Sequence, residues 1–159
     1  LPVGIGYDVH RFAAGRRLIL GGIEFGGDRG LLGHSDADVV THAVMDALLG
    51  AAGLGDIGRL FPPGDPQFAD ADSVGLLREV TRLLGSERWE ITNIDVTIIA
   101  EQPKVSPHVG AMRERLAEAA GIRPEQVNLK ATTNEGLGFI GRGEGIAALA
   151  VAELYRSAP

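Results

Sequence analysis

Cysteine is absent from the chain, which excludes disulfides and thiolate metal sites and leaves nitrogen and oxygen donors for any metal. Lysine occurs only at Lys104 and Lys130, and arginine supplies the other basic side chains. With 15 basic against 21 acidic residues the formal net charge is -6, so binding to nucleic acid through a broad basic face is excluded as a working idea. A phosphate ligand must instead meet a local cluster. No apolar run is long enough to span a bilayer, so no membrane partner is expected. No secretory or lipidation motif precedes the first predicted strand, and the expected location is cytoplasmic. What remains is a globular composition, 45% hydrophobic and 23% charged over 159 residues, which predicts one domain, 1–159, around a single core.

Chemistry first enters at Gly4-Ile5-Gly6-Tyr7-Asp8-Val9-His10. Residues 2–12 read as a strand, and side chains at i and i+2 of a strand share a face. Asp8 and His10 can therefore converge, and a third ligand would complete a three-ligand site with an open position. His42 is the candidate. It lies on a helix that Ser35 or Asp36 would cap and that runs to about Ala52, with Val40, Ala43, Val44, Ala47 and Leu48 as the buried stripe. Asp38, His42 and Asp46 follow at i, i+4 and i+8 on another face, so Asp38 is the candidate to orient His42. His34, just outside the helix start, is placed where free amides favour an anion.

Between these segments, 17–20 and 23–25 read as a short hairpin and 26–30 as a turn or mobile loop. Asp56 to Asp65 carries too many breakers for a regular element and reads as a loop of the kind that often contacts ligands. Ser73 would cap a second helix to about Leu84. Residues 91–100 alternate as a strand with Thr92, Ile94, Val96, Ile98 and Ala100 inward. A turn through Pro103 and Lys104 leads to a third helix, 108–120, with His108 at the surface, and Lys104 falls at a strand end, where ligand crevices form. Another strand covers 127–133.

Gly136 to Gly141 matches the G-x-G-x-x-G pattern of dinucleotide-binding folds. Polar residues separate it from the preceding strand, and no second strand follows to carry the ribose acid, so the match fails on context. For 146–155, alanine content alone favours a helix.

Taken together, Gly6-Tyr7-Asp8-Val9-His10, the run from Gly33 to Val39, Asp56-Ile57-Gly58 with Phe61-Pro62 and Asp65, Asp95 to Ala100 with Pro103-Lys104, and Lys130-Ala131-Thr132-Thr133 through Gly145 resemble one family over nearly the whole chain. It is the 2-C-methyl-D-erythritol 2,4-cyclodiphosphate synthases of the non-mevalonate isoprenoid pathway. The resemblance implies a cyclising, CMP-releasing phosphorus-oxygen lyase. In its reaction the 2-phosphate of 4-diphosphocytidyl-2-C-methyl-D-erythritol 2-phosphate attacks the β-phosphorus of the same molecule.

By the same resemblance Asp8, His10 and His42 bind zinc, and Glu135 holds magnesium, with manganese as an alternative. Thr132 and Thr133 supply donors to the diphosphate, while His34 and Ser35 stabilise charge. His34 and Thr133 are the implied catalytic pair. Asp56, Gly58, Phe61 and Asp65 line the methylerythritol pocket. Ala100, Pro103, Lys104, Val105 and Ser106 recognise the cytidine diphosphate.

The implied fold is α+β, a four-stranded mixed sheet with helices on one face, assembled as a homotrimer around a threefold axis. In it, 146–155 becomes a strand paired with 127–133. Phe139 and Arg142 border an axial channel in which relatives hold an isoprenoid diphosphate. Leu149 stands where some relatives carry an acid, which removes an axial partner for Arg142. A zinc phosphohydrolase using the same Asp-His-His set is the competing reading, and it lacks an obvious base beside the metal arm.

Overall fold

A computed structural model of the chain describes residues 1–158. In chain order its elements are β1 (Val3–Ala14), β2 (Leu18–Leu20), β3 (Ile23–Phe25), β4 (Arg29–Leu31), α1 (Val39–Ala52), α2 (Ile57–Leu60), α3 (Ser73–Ser86), β5 (Trp89–Ile99), α4 (Val109–Ala120), β6 (Val127–Thr132), α5 (Gly138–Gly141) and β7 (Gly145–Arg156). The main sheet has the order β4-β1-β7-β5-β6, with β2 and β3 forming a separate hairpin. Only β5 and β6 run parallel, joined through α4, so the sheet is mixed. The architecture is α+β, as expected, with five strands rather than four.

The fifth strand is β4. Part of the segment expected to be a turn, Arg29 and Gly30, joins Leu31 in pairing with β1 from Phe12↔Leu31 to Ala14↔Arg29, where β1 runs on for three residues past Arg11, its last partner with β7. Residues 145–156 form a strand despite their alanine content. It does not pair with β6 as expected: β7 lies between β1 and β5, and β6 pairs with β5 alone. Alanine suits that central position. Ala148, Ala150 and Ala152 are fully buried and let α1 lie flat across β7.

Contact between β1 and α1 is closer still. A Cβ on Gly4 would sit 2.0 Å from the Ala47 carbonyl oxygen, and one on Gly6 would sit 1.9 Å from that of Ala43. Two residues of strand advance about 6.6 Å and four of helix about 6 Å. The two backbones therefore stay in step as the strand proceeds from Gly4 to Gly6 while the helix is followed backwards from Ala47 to Ala43. One more step places Asp8 beside the first turns of α1.

Asp38, not Ser35 or Asp36, caps α1. Its side chain accepts from the backbone N–H groups of Val40 and Thr41 at 3.1 Å each and from Thr41 Oγ1 at 2.6 Å. It also takes the Gly21 and Gly22 N–H groups at 2.8 Å each, tying the β2–β3 turn to the helix start. All five expected stripe residues of α1 are buried, yet the helix is buried on nearly every side.

Asp72 rather than Ser73 caps α3 through Val74 N–H. The segment after Asp56 does contain a helical turn, α2, because Asp56 caps it by accepting from Arg59 N–H at 2.9 Å. On β5 the inward alternation holds from Ile94 onward, but a register shift between Ile91 and Asn93 puts Ile91 inside in place of Thr92. His108 is half-buried, its ring 4.4 Å from that of Phe25.

Gly6→Ala should destabilise the fold by about 3 kcal/mol or more, since the new methyl meets backbone that cannot rotate away. Gly26→Ala, with no neighbour near the added carbon, should stay within about 0.5 kcal/mol. Urea titrations of the two variants check the contrast. By the same measurement Asp38→Ala should cost about 3 kcal/mol or more, because buried donors lose their only acceptor.

Candidate metal centre

Asp8 and His10 share the face of β1 that carries Gly4 and Gly6, and His42 enters from the first turn of α1. The three meet. Asp8 Oδ2 lies 3.0 Å from His10 Nε2 and 3.0 Å from His42 Nδ1. One donor atom from each residue falls within 4.8 Å of the others. His42 is buried and the other two are half-buried. Two imidazole nitrogens and one carboxylate oxygen at this separation suit a borderline divalent ion with an open coordination position, so the residues present fit the metal that the sequence implies.

Electrostatics bind the three together. Burial alone would raise the Asp8 carboxyl, but hydrogen bonds from His10 and His42 outweigh it and hold the group below the ordinary carboxylate range. For His10, burial opposes the charged form, while the bond to Asp8 raises its pKa above the ordinary imidazole value. His10 Nδ1 donates to the Leu32 carbonyl at 2.7 Å, which fixes the ring.

Around the cluster lies a cleft of about 300 Å³ with a largely apolar wall that includes Met45, Ile57, Phe61, Phe68 and Leu76. His34, Ser35, Gly58 and Phe61, all singled out from the sequence, line it. His34 is exposed, with Nε2 3.3 Å from the Asp65 carbonyl oxygen. It does not stand at a free helix N-terminus, because the Asp38 carboxylate already occupies that place. The Asp56 and Asp65 side chains serve as caps, Asp65 accepting from Gln67 N–H at 3.0 Å. Asp46 accepts from Ile57 N–H at 2.8 Å and so sets the start of α2. Burial pushes its carboxyl pKa up.

Asp38 does not orient His42; its oxygens are used by the helix start and the hairpin. The neighbours of His42 Nε2 are Ser73 Oγ at 2.8 Å and Ser35 Oγ at 3.2 Å. Ser73 was legible in sequence only as a helix start, and nothing in its spacing links it to residue 42. Of the cleft wall, Met45 at i+3 from His42 was within reach of helical periodicity. Leu76 and Phe68 were not.

The remaining site residues gather elsewhere. Ala100 N–H donates to the Thr132 carbonyl at 3.0 Å, joining the turn after β5 to the end of β6. Pro103, exposed Lys104, buried Val105 and exposed Ser106 lie along that turn. Thr133 Oγ1 accepts from Glu135 N–H at 3.2 Å, and Glu135 sits at φ 54° with its side chain exposed. Glu101, not singled out from the sequence, anchors this loop by accepting from the N–H groups of Asn134 and Gly136 at 2.9 and 3.3 Å. None of these residues lines the metal cleft within one chain. Phe139 borders a second, open cavity of about 610 Å³ beside His10. Arg142 pairs with Glu144 at 2.7 Å, so its partner is two residues away and not at position 149.

No helix among the described residues is long and apolar enough to cross a membrane. The YgbB family matches residues 1–155. The chain is 60% identical over 150 residues to the 2-C-methyl-D-erythritol 2,4-cyclodiphosphate synthase of Symbiobacterium thermophilum, covering 94% of this chain and 96% of that protein. It is 59% identical to the bifunctional enzyme IspD/IspF of Anaeromyxobacter dehalogenans over 99% of its own length but only 41% of that relative's. Among solved structures it superposes on the CDP complex of IspF from Plasmodium falciparum with a TM-score of 0.87 at 31% identity, covering 99% of this chain and 97% of that one. Fold, site and likeness agree, and the chain belongs to the YgbB family of 2-C-methyl-D-erythritol 2,4-cyclodiphosphate synthases.

Proposed function

We propose that this domain converts 4-diphosphocytidyl-2-C-methyl-D-erythritol 2-phosphate to 2-C-methyl-D-erythritol 2,4-cyclodiphosphate and CMP, as a cyclising phosphorus-oxygen lyase. The convergence of Asp8, His10 and His42 at the edge of an apolar cleft carries the reading. The reaction breaks the bond between the β-phosphorus and the CMP oxygen and forms one from a 2-phosphate oxygen to the same phosphorus. It needs no protein nucleophile, so positioning and charge compensation are the enzyme's task. Zinc bound by Asp8, His10 and His42 supplies Lewis-acid polarisation of a phosphate oxygen. Magnesium or manganese suits Glu135, a lone exposed carboxylate, because such ions combine few carboxylates with phosphate oxygens.

Gly58 and Phe61 bound the space for the methylerythritol carbons, with the chain around them held by the Asp56 and Asp65 caps. His34 and Ser35 donate to the phosphate that acquires charge. Thr132 and Thr133 hold the diphosphate, and the turn from Ala100 through Pro103, Lys104, Val105 and Ser106 receives the cytidine. In one chain this turn and the metal cleft are separate, so a complete site takes one set from each of two adjacent subunits of a homotrimer.

The bare sheet face supports that assembly: Val3, Ile5, Tyr7, Leu149 and Val151 stand exposed on it, a patch of the kind that marks interaction surfaces. Phe139 and Arg142 would then border the axial channel, open to an isoprenoid diphosphate. A cytoplasmic location fits this chemistry.

CMP should be released only when both divalent ions are supplied, with a cyclic product retaining both phosphates; inorganic phosphate as the product would identify a hydrolase instead. His42→Ala should abolish zinc retention while sedimentation still reports a trimer. Loss of the trimer would make His42 a core residue and not a ligand.

A further inference from the structure

Between β4 and α1 the chain runs without regular structure from Leu32 to Asp38, so its backbone groups must find partners outside any ladder or helix. The carbonyls do so in an unbroken series. That of Leu31 accepts from Arg16 Nε at 3.1 Å, and that of Leu32 lies 2.7 Å from His10 Nδ1. Arg16 Nη2 donates to the carbonyls of Gly33 at 3.2 Å and Ser35 at 2.7 Å, while the carbonyl between them, that of His34, accepts from Asp70 N–H at 3.0 Å. One guanidinium therefore grips the carbonyls of the residues on both sides of His34.

The direction of these bonds is set by the atoms themselves. A guanidinium only donates and stays charged at any working pH, and a carbonyl only accepts. Bonds of this charge-assisted kind are stronger than those between neutral groups. Arg16 reaches the loop because Gly30 has no side chain: a Cβ there would meet the carbonyl oxygens of Arg17 at 2.1 Å and Arg16 at 2.5 Å, so residues 16 and 17 lie directly on β4. Arg16 is half-buried, and its Nη1 stands 3.7 Å from the carboxylate of exposed Asp70, whose own N–H holds His34. Arg17 takes no part, its guanidinium being paired with Glu24 at 2.9 Å.

His34 and Ser35 line the metal cleft, and Arg16 does not. It borders a separate cavity of about 250 Å³ with Ile19 and Asp36, so it acts through the loop. The His34 ring is exposed and meets the Asp65 carbonyl oxygen at 3.3 Å; its place is set chiefly by its backbone. We propose that Arg16 is a positioning residue: by holding the carbonyls of Gly33 and Ser35 it fixes the His34 and Ser35 side chains in the cleft that contains Asp8, His10 and His42. The purpose of this clamp rests on the cyclisation reading above, in which donors must already be in place when charge develops on the phosphate; the clamp itself does not.

The test compares Arg16→Lys and Arg16→Ala with wild type, and Arg17→Ala controls for a change of surface charge. A lysine keeps the charge, but its single nitrogen cannot take the places of both Nε and Nη2. Hydrogen exchange of the Asp36 and Asp70 amides, which bond to the Ala71 and His34 carbonyls, should quicken about tenfold or more in both Arg16 variants, with the α1 amides and the zinc content unchanged. Release of CMP from the substrate named above should fall by about 10- to 100-fold in kcat, with KM little altered, as expected when contacts made in the transition state are lost. Arg17→Ala should match wild type in both measurements.

Unchanged exchange in the Arg16 variants would overturn the proposal, and so would faster exchange with kcat intact, or a fall in kcat equally seen in Arg17→Ala. Should Arg16→Ala fail to fold, Arg16→Lys decides alone. Should wild type release no CMP while the Arg16 variants loosen the loop, the cyclisation reading fails and the clamp stands.

Discussion

The close approach of β1 to α1 is the constraint on which the rest depends. Glycine at positions 4 and 6 removes the side chains that would otherwise separate the two backbones by a layer of packing. With that layer gone, the strand and helix repeats stay in step from Gly4 through Gly6, and the next step brings Asp8 within hydrogen-bond distance of His42. An added side-chain layer would move the carboxylate and the imidazole apart by several ångströms. A cluster whose donor atoms lie within 4.8 Å of one another has no slack for that. The same contact explains the alanines of β7, which extend the flat floor beneath α1.

Two aspartates two residues apart then divide the work at the entrance to α1. Asp38 is turned inward, where it gathers donors from the helix start and from the β2–β3 turn. Asp36 is turned toward α3 and meets Ser73. The intervening Ala37 has φ 57°, a conformation that costs a non-glycine residue energy. That kink lets neighbouring carboxylates face different elements. Packing and polar anchoring thus fix one segment from both sides.

Local periodicity made some of this legible from sequence. The strand alternation placed Asp8 and His10 on one face, and the 3.6-residue repeat placed His42 on a helix whose stripe is buried as read. Asp38 was misread for a specific reason: the i, i+4 row presumes that residue 38 is already helical, whereas its ψ of 92° makes it a cap whose side chain curls back over the first turn. Partners brought together only by tertiary structure stayed invisible, as with Ser73 beside His42 and β7 between β1 and β5. The strand identity of β7 came from family resemblance against propensity. An alanine-rich segment takes the conformation its neighbours require when both of its edges are paired.

The separation of the two functional groups within one chain follows from the same architecture. The metal cleft grows from the β1–α1 contact on the helix side, while the Ala100 to Glu135 group sits at the ends of β5 and β6, the far part of the sheet. Within one chain no residue of that group lines the metal cleft, although Gln102 and Pro103 share a cavity with Phe12 at the end of β1. All long helices pack on one face, so the opposite face keeps Ile5, Tyr7 and Val151 open to solvent. In the proposed trimer one event resolves both features. Covering the apolar face would bring a neighbour's Ala100 to Glu135 group toward the metal cleft, so that burial of the sheet and completion of the proposed site would be thermodynamically the same step.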